Sequence, residues 1–222
     1  MGGDPVKYPF CGIVPDKLLQ LTSGRMIIAA HFMNRDIGKV EQYLWYSDDN
    51  GMTWSDRVTV ASDPRYNLCE VSMLECNNTL VAFMRENSMM GYDVLKSISY
   101  DNGETWHGVY NTPICGGHRP VSGYLKDGRI MITYRYLHGN WRVNRNTFMA
   151  FMDRDCLTET DRKLQDVTLV PLDFDRNACG DTGYTGWVQF DDGEIYIVNY
   201  IKDDSEKAFI RGYSIYPDDI LI

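Results

Sequence analysis

The 222-residue chain carries 31 acidic against 22 basic side chains, a formal net charge of −9, which argues against nucleic acid or an anionic membrane as its main partner. A hydrophobic fraction of 44% with 13% aromatics is ample for a packed core, and no apolar run reaches membrane-spanning length, so no membrane insertion is expected. An acidic small ligand stays compatible with this balance, because clustered arginines invert the field within a pocket.

The start of the chain, Met1-Gly2-Gly3-Asp4-Pro5, has neither the basic beginning nor the apolar stretch of a signal peptide. Fifteen Tyr and five Trp suit strands rather than helices. Leu18–Phe32, around Thr22-Ser23-Gly24, reads as a β-hairpin: an apolar run, a tight polar turn and a second apolar run. The same pattern returns at Val71–Met84 around Cys76-Asn77-Asn78, at Val121–Tyr134 around Lys126-Asp127-Gly128, and at Trp187–Tyr200 around Asp191-Asp192-Gly193. Asp-Gly and Asn-rich turns suit hairpins because their backbone needs positive φ. From Gly24 through Asn78 and Gly128 to Gly193 the turns lie 54, 50 and 65 residues apart, a period that fits one four-stranded propeller blade per repeat.

A second motif recurs between the hairpins. Ser47-Asp48-Asp49-Asn50-Gly51-Met52-Thr53-Trp54 and Ser99-Tyr100-Asp101-Asn102-Gly103-Glu104-Thr105-Trp106 share the pattern S-x-D-N-G-x-T-W. It makes sense as a folded turn: the Asp accepts backbone N–H groups, Gly supplies positive φ and Trp packs as an anchor. A degenerate copy is read at Phe151-Met152-Asp153-Arg154-Asp155.

The hairpin phase also predicts where a site would lie. In an antiparallel hairpin the start of the first strand lies beside the end of the second, and innermost propeller strands run in one direction, so these ends converge on one face. Aligning the turns places Asp16, Glu70, Arg119 and Tyr184 near the first-strand starts. His31, Arg85, Arg135 and Tyr200 fall near the second-strand ends. Three arginines, a glutamate and tyrosines suit an anion-binding pocket.

The two octads resemble the Asp boxes of sialidases (neuraminidases) and related BNR-repeat propellers, in which the box is a structural turn away from the catalytic face. Leu68-Cys69-Glu70-Val71-Ser72 leading to Val81-Ala82-Phe83-Met84-Arg85 resembles the sialidase segment that supplies a glutamate and then a carboxylate-binding arginine. Gly183-Tyr184-Thr185-Gly186-Trp187-Val188 resembles the segment of the nucleophilic tyrosine. His138-Gly139-Asn140-Trp141-Arg142-Val143-Asn144-Arg145 resembles the stretch bearing another arginine, with Arg145 the first choice and Arg142 the second. The resemblance implies an all-β propeller, with residues 1–222 as one domain holding about four blades of a six-bladed ring and lacking the amino-terminal ones. Gly12-Ile13-Val14-Pro15-Asp16 has no counterpart of the family's first arginine, and Asp16 or Asp36 would stand in for its acid/base aspartate.

The activity implied is retaining hydrolysis of terminal sialic acid from glycoconjugates, with Tyr184 as nucleophile, Glu70 as its base, and Arg85, Arg145, Arg119 and Arg135 binding the substrate. A glycan-binding propeller without turnover, or a propeller glycosidase for another acidic sugar, are the alternatives. Arg119 is unexpected in an ordinary sialidase. The partner expected is a sialylated or other acidic glycan, no cofactor or metal is called for, and exposed blade edges would allow a homo-oligomer. A full-length protein of this kind would be secreted or periplasmic. Cys11, Cys69, Cys76, Cys115, Cys156 and Cys179 form no ligand spacing and are read mostly as buried free thiols. His31 and His118 are read as rim or core histidines, and Asp173/Asp175, Asp203/Asp204 and Asp218/Asp219 as turn residues.

Overall fold

A computed structural model describes residues 16–137 and 145–220. Their strands form four antiparallel sheets, each a run of sequential neighbours. Blade one holds β1 (Leu19–Gln20), β2 (Met26–Asn34), β3 (Lys39–Ser47) and β4 (Val58–Ala61). Blade two holds β5 (Leu68–Cys76), β6 (Thr79–Glu86), β7 (Leu95–Ser99) and β8 (His107–Asn111). Blade three holds β9 (Gly117–Tyr124), β10 (Ile130–Tyr136), β11 (Asn146–Met152) and β12 (Val167–Phe174). In blade four the described strands are three: β13 (Gly183–Gln189), β14 (Ile195–Ile201) and β15 (Phe209–Ile215).

All four expected hairpins form the first two strands of their blades. Three close alike: Leu21 N donates to Arg25 O, Leu125 N to Arg129 O and Phe190 N to Glu194 O, each at 2.8 Å. Blade two differs. There Cys76 pairs directly with Thr79, and the two turn residues Asn77 and Asn78 take φ of 49° and 64°, the conformation a two-residue hairpin loop needs.

The blades stack through alternating residues. Ile27, Leu44, Val71, Met73 and Leu80 fill the space between blades one and two. Phe83, Ile98, Ile132, Tyr134 and Ala150 fill that between two and three, and Leu125, Met131, Phe151, Ile195 and Ile197 that between three and four. Nearer the axis neighbouring blades touch through small polar groups on their first two strands. Ser72 Oγ meets Ser122 Oγ at 2.8 Å, and Thr133 Oγ1 meets Thr185 Oγ1 at 2.7 Å. The other face of blade four leaves Val188, Tyr196, Val198 and Ile210 exposed.

The two octads join the third and fourth strands of blades one and two and fold identically. In the first, Gly51 N donates to Ser47 Oγ at 2.8 Å, Thr53 N to Asp49 Oδ1 at 2.8 Å, and Trp54 Nε1 to Gly51 O at 3.1 Å. The second repeats these bonds from Gly103 N to Ser99 Oγ at 2.9 Å, Thr105 N to Asp101 Oδ1 at 2.8 Å, and Trp106 Nε1 to Gly103 O at 3.2 Å. Arg25, in the β1–β2 turn, donates to Asp48 Oδ1 at 2.7 Å and to Asn102 O at 3.1 Å. Octads and hairpin turns therefore share one end of the sheets, and the other end is left for the converging strand ends. The degenerate copy after β11 is in phase but folds as a short helix, Asp155–Thr158, since neither the Ser nor the Thr that brace the turn is present.

Gly103 binds an octad to the core. Its φ is +92°, and a Cβ there would stand 3.2 Å from Leu80 Cδ1 and 3.5 Å from Ile27 Cδ1. Left-handed strain and overpacking add for Gly103→Ala, which is expected to lose about 2–4 kcal/mol of stability. Met52→Ala, at an exposed position of the other octad, should stay within about 0.5 kcal/mol of wild type. Urea denaturation of the two variants measures the contrast, and equal losses would contradict this packing.

Candidate functional site

The first strands of blades two, three and four share an irregularity. Cys69 pairs with Arg85 and Val71 with Met84, so Glu70 is an extra residue in β5. His118 pairs with Arg135 and Val121 with Thr133, so Arg119 and Pro120 oppose Tyr134 alone. Gly183 pairs with Tyr200 and Gly186 with Val198, so Tyr184 and Thr185 oppose Asn199 alone. Each is a bulge, which bends the strand and re-aims a side chain. Glu70, Arg119 and Tyr184 all have left-handed φ, at 45°, 53° and 54°. Such backbone costs a non-glycine residue about 1–2 kcal/mol, and it gathers where structure serves function.

The bulges bring the sequence-predicted residues together. Tyr184 Oη donates to Glu70 Oε1 at 2.5 Å, and Arg85 Nη1 donates to Glu70 Oε2 at 2.7 Å. The Arg119 and Arg135 guanidinium carbons lie 5.7 and 5.0 Å from the Tyr184 ring centre. Gly183 makes room for this approach: a Cβ there would stand 2.9 Å from Arg135 Cβ. Arg145 joins the group through Asp181, donating from Nη1 to Oδ1 at 2.5 Å. Tyr200 Oη reaches the same oxygen at 2.9 Å, and Arg135 Nη1 lies 3.6 Å from it. Arg142 lies outside the described residues. His31, on β2, accepts from Glu70 N through Nδ1 at 3.1 Å, so it fixes the bulge. Glu70 is 7% exposed and Tyr184 45%, so the phenol is the accessible member of the pair and the carboxylate the shielded one.

Protonation follows from these contacts. Burial alone would raise the Glu70 carboxyl, but Arg85, with Tyr184 and Arg135, outweighs it and holds the group below the usual carboxylate range. Burial, then the bond to Glu70 and its charge, push the Tyr184 phenol above its ordinary value. At neutral pH the shared proton therefore rests on Tyr184. Burial and the neighbouring Arg85, Arg135 and Arg145 depress His118 to about 3. Buried nitrogens without a hydrogen-bond partner among the described residues gather here: Arg85 Nε, Arg119 Nη1, Arg135 Nε, Arg145 Nε and His118 Nδ1.

Asp181 was not singled out from the sequence. It is delivered by the irregular segment between β12 and β13, which Asp175 staples: that buried carboxylate accepts from the backbone N–H of Asn177, Asp181, Lys202 and Asp203 at 2.9–3.1 Å. Asp203 in turn holds Arg176 and Arg211, at 2.7 and 2.6 Å. No group of acidic, His or Cys side chains among the described residues has a metal-binding arrangement. Of the two aspartates weighed as an acid, Asp16 accepts from Ser72 Oγ at 2.6 Å. Asp36 stands exposed in the turn after β2, at the same end of the sheets as the site.

Residues 5–172 match the model of a BNR repeat-like domain. No match was found among curated protein sequences. Among solved structures, a protein of unknown function from Dyadobacter fermentans superposes with a TM-score of 0.72 at 24% identity, over 89% of this chain and 51% of that one. A sialidase from Streptococcus pneumoniae gives 0.59 at 17% identity, over 91% and 30%. An α-L-arabinofuranosidase from Fusarium graminearum, in complex with an iminosugar inhibitor, gives 0.64 at 13% identity, over 89% and 60%. The chain thus spans from about a third to three fifths of the length of these structures, and the likeness establishes the propeller fold.

The charge environment of His118 makes a prediction about pH. Its imidazole, neutral in the fold and ordinary (near pH 6.5) when unfolded, binds fewer protons in the native state between those two values. Stability should fall as pH drops from about 6.5 towards 3, more shallowly in His118→Asn, and the imidazole NMR signals of His118 should stay constant from pH 8 to 5. A His118 titration near 6.5 would contradict the buried arginine environment.

Proposed function

The chain belongs to the BNR repeat-like domain family, and from that premise we propose that it is a sialidase-like glycoside hydrolase that removes terminal sialic acid with retention. The observation that carries this reading is the 2.5 Å bond from Tyr184 Oη to a Glu70 carboxylate that Arg85 keeps ionised. A carboxylate nucleophile would be repelled by a sugar bearing its own carboxylate at the anomeric carbon, which is why a tyrosine serves in sialidases. The phenol is weakly nucleophilic while protonated, and Glu70 is placed to take its proton as attack develops.

In the first step Tyr184 Oη bonds to the anomeric carbon, the bond to the aglycone oxygen breaks, and the phenolic proton passes to Glu70. The departing oxygen takes a proton from an acid, for which Asp36 is the candidate. Water then attacks the same carbon and gives a proton to the acid's carboxylate, while the bond from that carbon to Tyr184 Oη breaks and the phenolate recovers its proton from Glu70. Arg85 and Arg145 would hold the substrate carboxylate, since a guanidinium stays charged and binds carboxylates in a fixed geometry. The arginine cluster favours an acidic sugar over a neutral one such as arabinose.

Hydrolysis of a fluorogenic α-sialoside, with ligand binding followed in parallel, tests this. Tyr184→Phe and Glu70→Gln should lose turnover and keep most of the binding. Arg85→Ala should weaken binding as well, by roughly ten- to a hundredfold for a lost charge-assisted bond of ~1.5–3 kcal/mol. It should also move the acid limb of kcat/KM to higher pH, because Glu70 loses its compensating charge. Full activity in Tyr184→Phe would refute the assignment, and wild-type binding without turnover would favour a glycan-binding module.

A further inference from the structure

We infer that the site takes a substrate carrying two anionic groups, the second of which is bound by Arg119. The inference deepens the acidic-sugar reading above, on which the identity of the first group rests. Arg119 occupies the bulge of β9, the position that gives Glu70 in β5 and Tyr184 in β13, and it accepts the same left-handed backbone. Glu70 and Tyr184 bond to each other across the site. Arg119 touches the Tyr184 ring but has no hydrogen bond or ion pair with any described residue, and its Nη1 is buried without a partner. A buried N–H left unpaired costs about 1–3 kcal/mol, and more on a charged group. A half-buried guanidinium whose Nη1 is buried and unpaired calls for an acceptor, and the bulge aims it at the site.

The charges of the site agree. Four guanidinium groups, Arg85, Arg119, Arg135 and Arg145, face two carboxylates among the described residues. Glu70 is taken up by Arg85, and Asp181 is shared by Arg135 and Arg145. Two positive charges remain in excess. His118 does not add to them, being neutral over the physiological range. One substrate carboxylate balances one of the two; a second oxyanion on the same sugar, a sulfate ester or another carboxylate, balances the other.

Crystals of the chain grown free of sulfate and soaked in selenate, a doubly charged oxyanion located by its anomalous signal, count the anion positions directly. Two peaks are expected in the site, one within hydrogen-bond distance of Arg119. Arg119→Met should lose that peak alone, and Arg119→Lys should retain it. N-acetylneuraminate, with a single carboxylate, should then displace the peak beside Arg85 and leave the one beside Arg119. A single peak in the wild type, a peak at position 119 that survives Arg119→Met, or displacement of both peaks by N-acetylneuraminate would overturn the inference. Two peaks that N-acetylneuraminate leaves untouched would instead overturn the sialic-acid reading and leave the two-anion site standing.

Discussion

In β5, β9 and β13 one residue more lies on the first strand than its partner strand can pair, and that surplus residue takes a left-handed conformation. The rest of the site depends on it. A regular strand alternates its side chains between the two neighbouring blades, so a residue at this level would be packed into a blade interface. The bulge breaks the alternation once, at the same height in three consecutive blades, and turns Glu70, Arg119 and Tyr184 towards one place. Arg85, Arg135 and Tyr200, each paired with the residue just before a bulge, complete the ring of contacts. Stacked cores between the blades hold the three bulges at fixed relative heights, which is how side chains more than a hundred positions apart come within one hydrogen bond.

Electrostatics then divide the labour. An acidic chain concentrates four arginines at one end of its sheets, and the carboxylates placed among them serve distinct ends. Glu70 is shielded, ionised and bonded to the phenol, the state a proton acceptor requires. Asp181, more exposed, orients Arg135 and Arg145 and ties Tyr200 to them. Burial, reinforced by the same arginine field, keeps His118 uncharged, so the positive charge here is carried by groups that do not titrate near neutrality. Three left-handed backbone positions and, among the described residues, several unpaired buried nitrogens gather at this end of the molecule, where they lower stability.

Much of this was legible in the sequence, because the informative signals were local. The Asp-Gly and Asn-rich turns announced the hairpins, and the S-x-D-N-G-x-T-W octads carried their whole hydrogen-bond pattern within eight residues. Counting from the turns was enough to place Glu70, Arg85, Arg119, Arg135 and Tyr184 at one end, since strand residues keep register over such distances. Asp181 escaped because it sits on an irregular segment whose path is set by Asp175 and its four backbone partners, contacts that no periodicity encodes. The histidines are rim and core residues as the sequence suggests, but their contacts are not legible there. His31 and His118 were read as ordinary rim or core residues, and only the folded chain shows that one fixes the Glu70 bulge while the other is held neutral among arginines. After β11 the turn pattern itself decays, and a short helix replaces it.

The claim at the centre of this account is that Tyr184 is the atom donor to a covalent intermediate. A sialosyl fluoride carrying a second fluorine beside the anomeric carbon reacts with a nucleophile but slows the hydrolysis that follows, so that the intermediate accumulates. After incubation with this probe, peptide mass spectrometry should find the sugar on the peptide containing Tyr184 in the wild type and on no peptide in Tyr184→Phe. A label on another residue, or an unchanged label in Tyr184→Phe, would contradict the account.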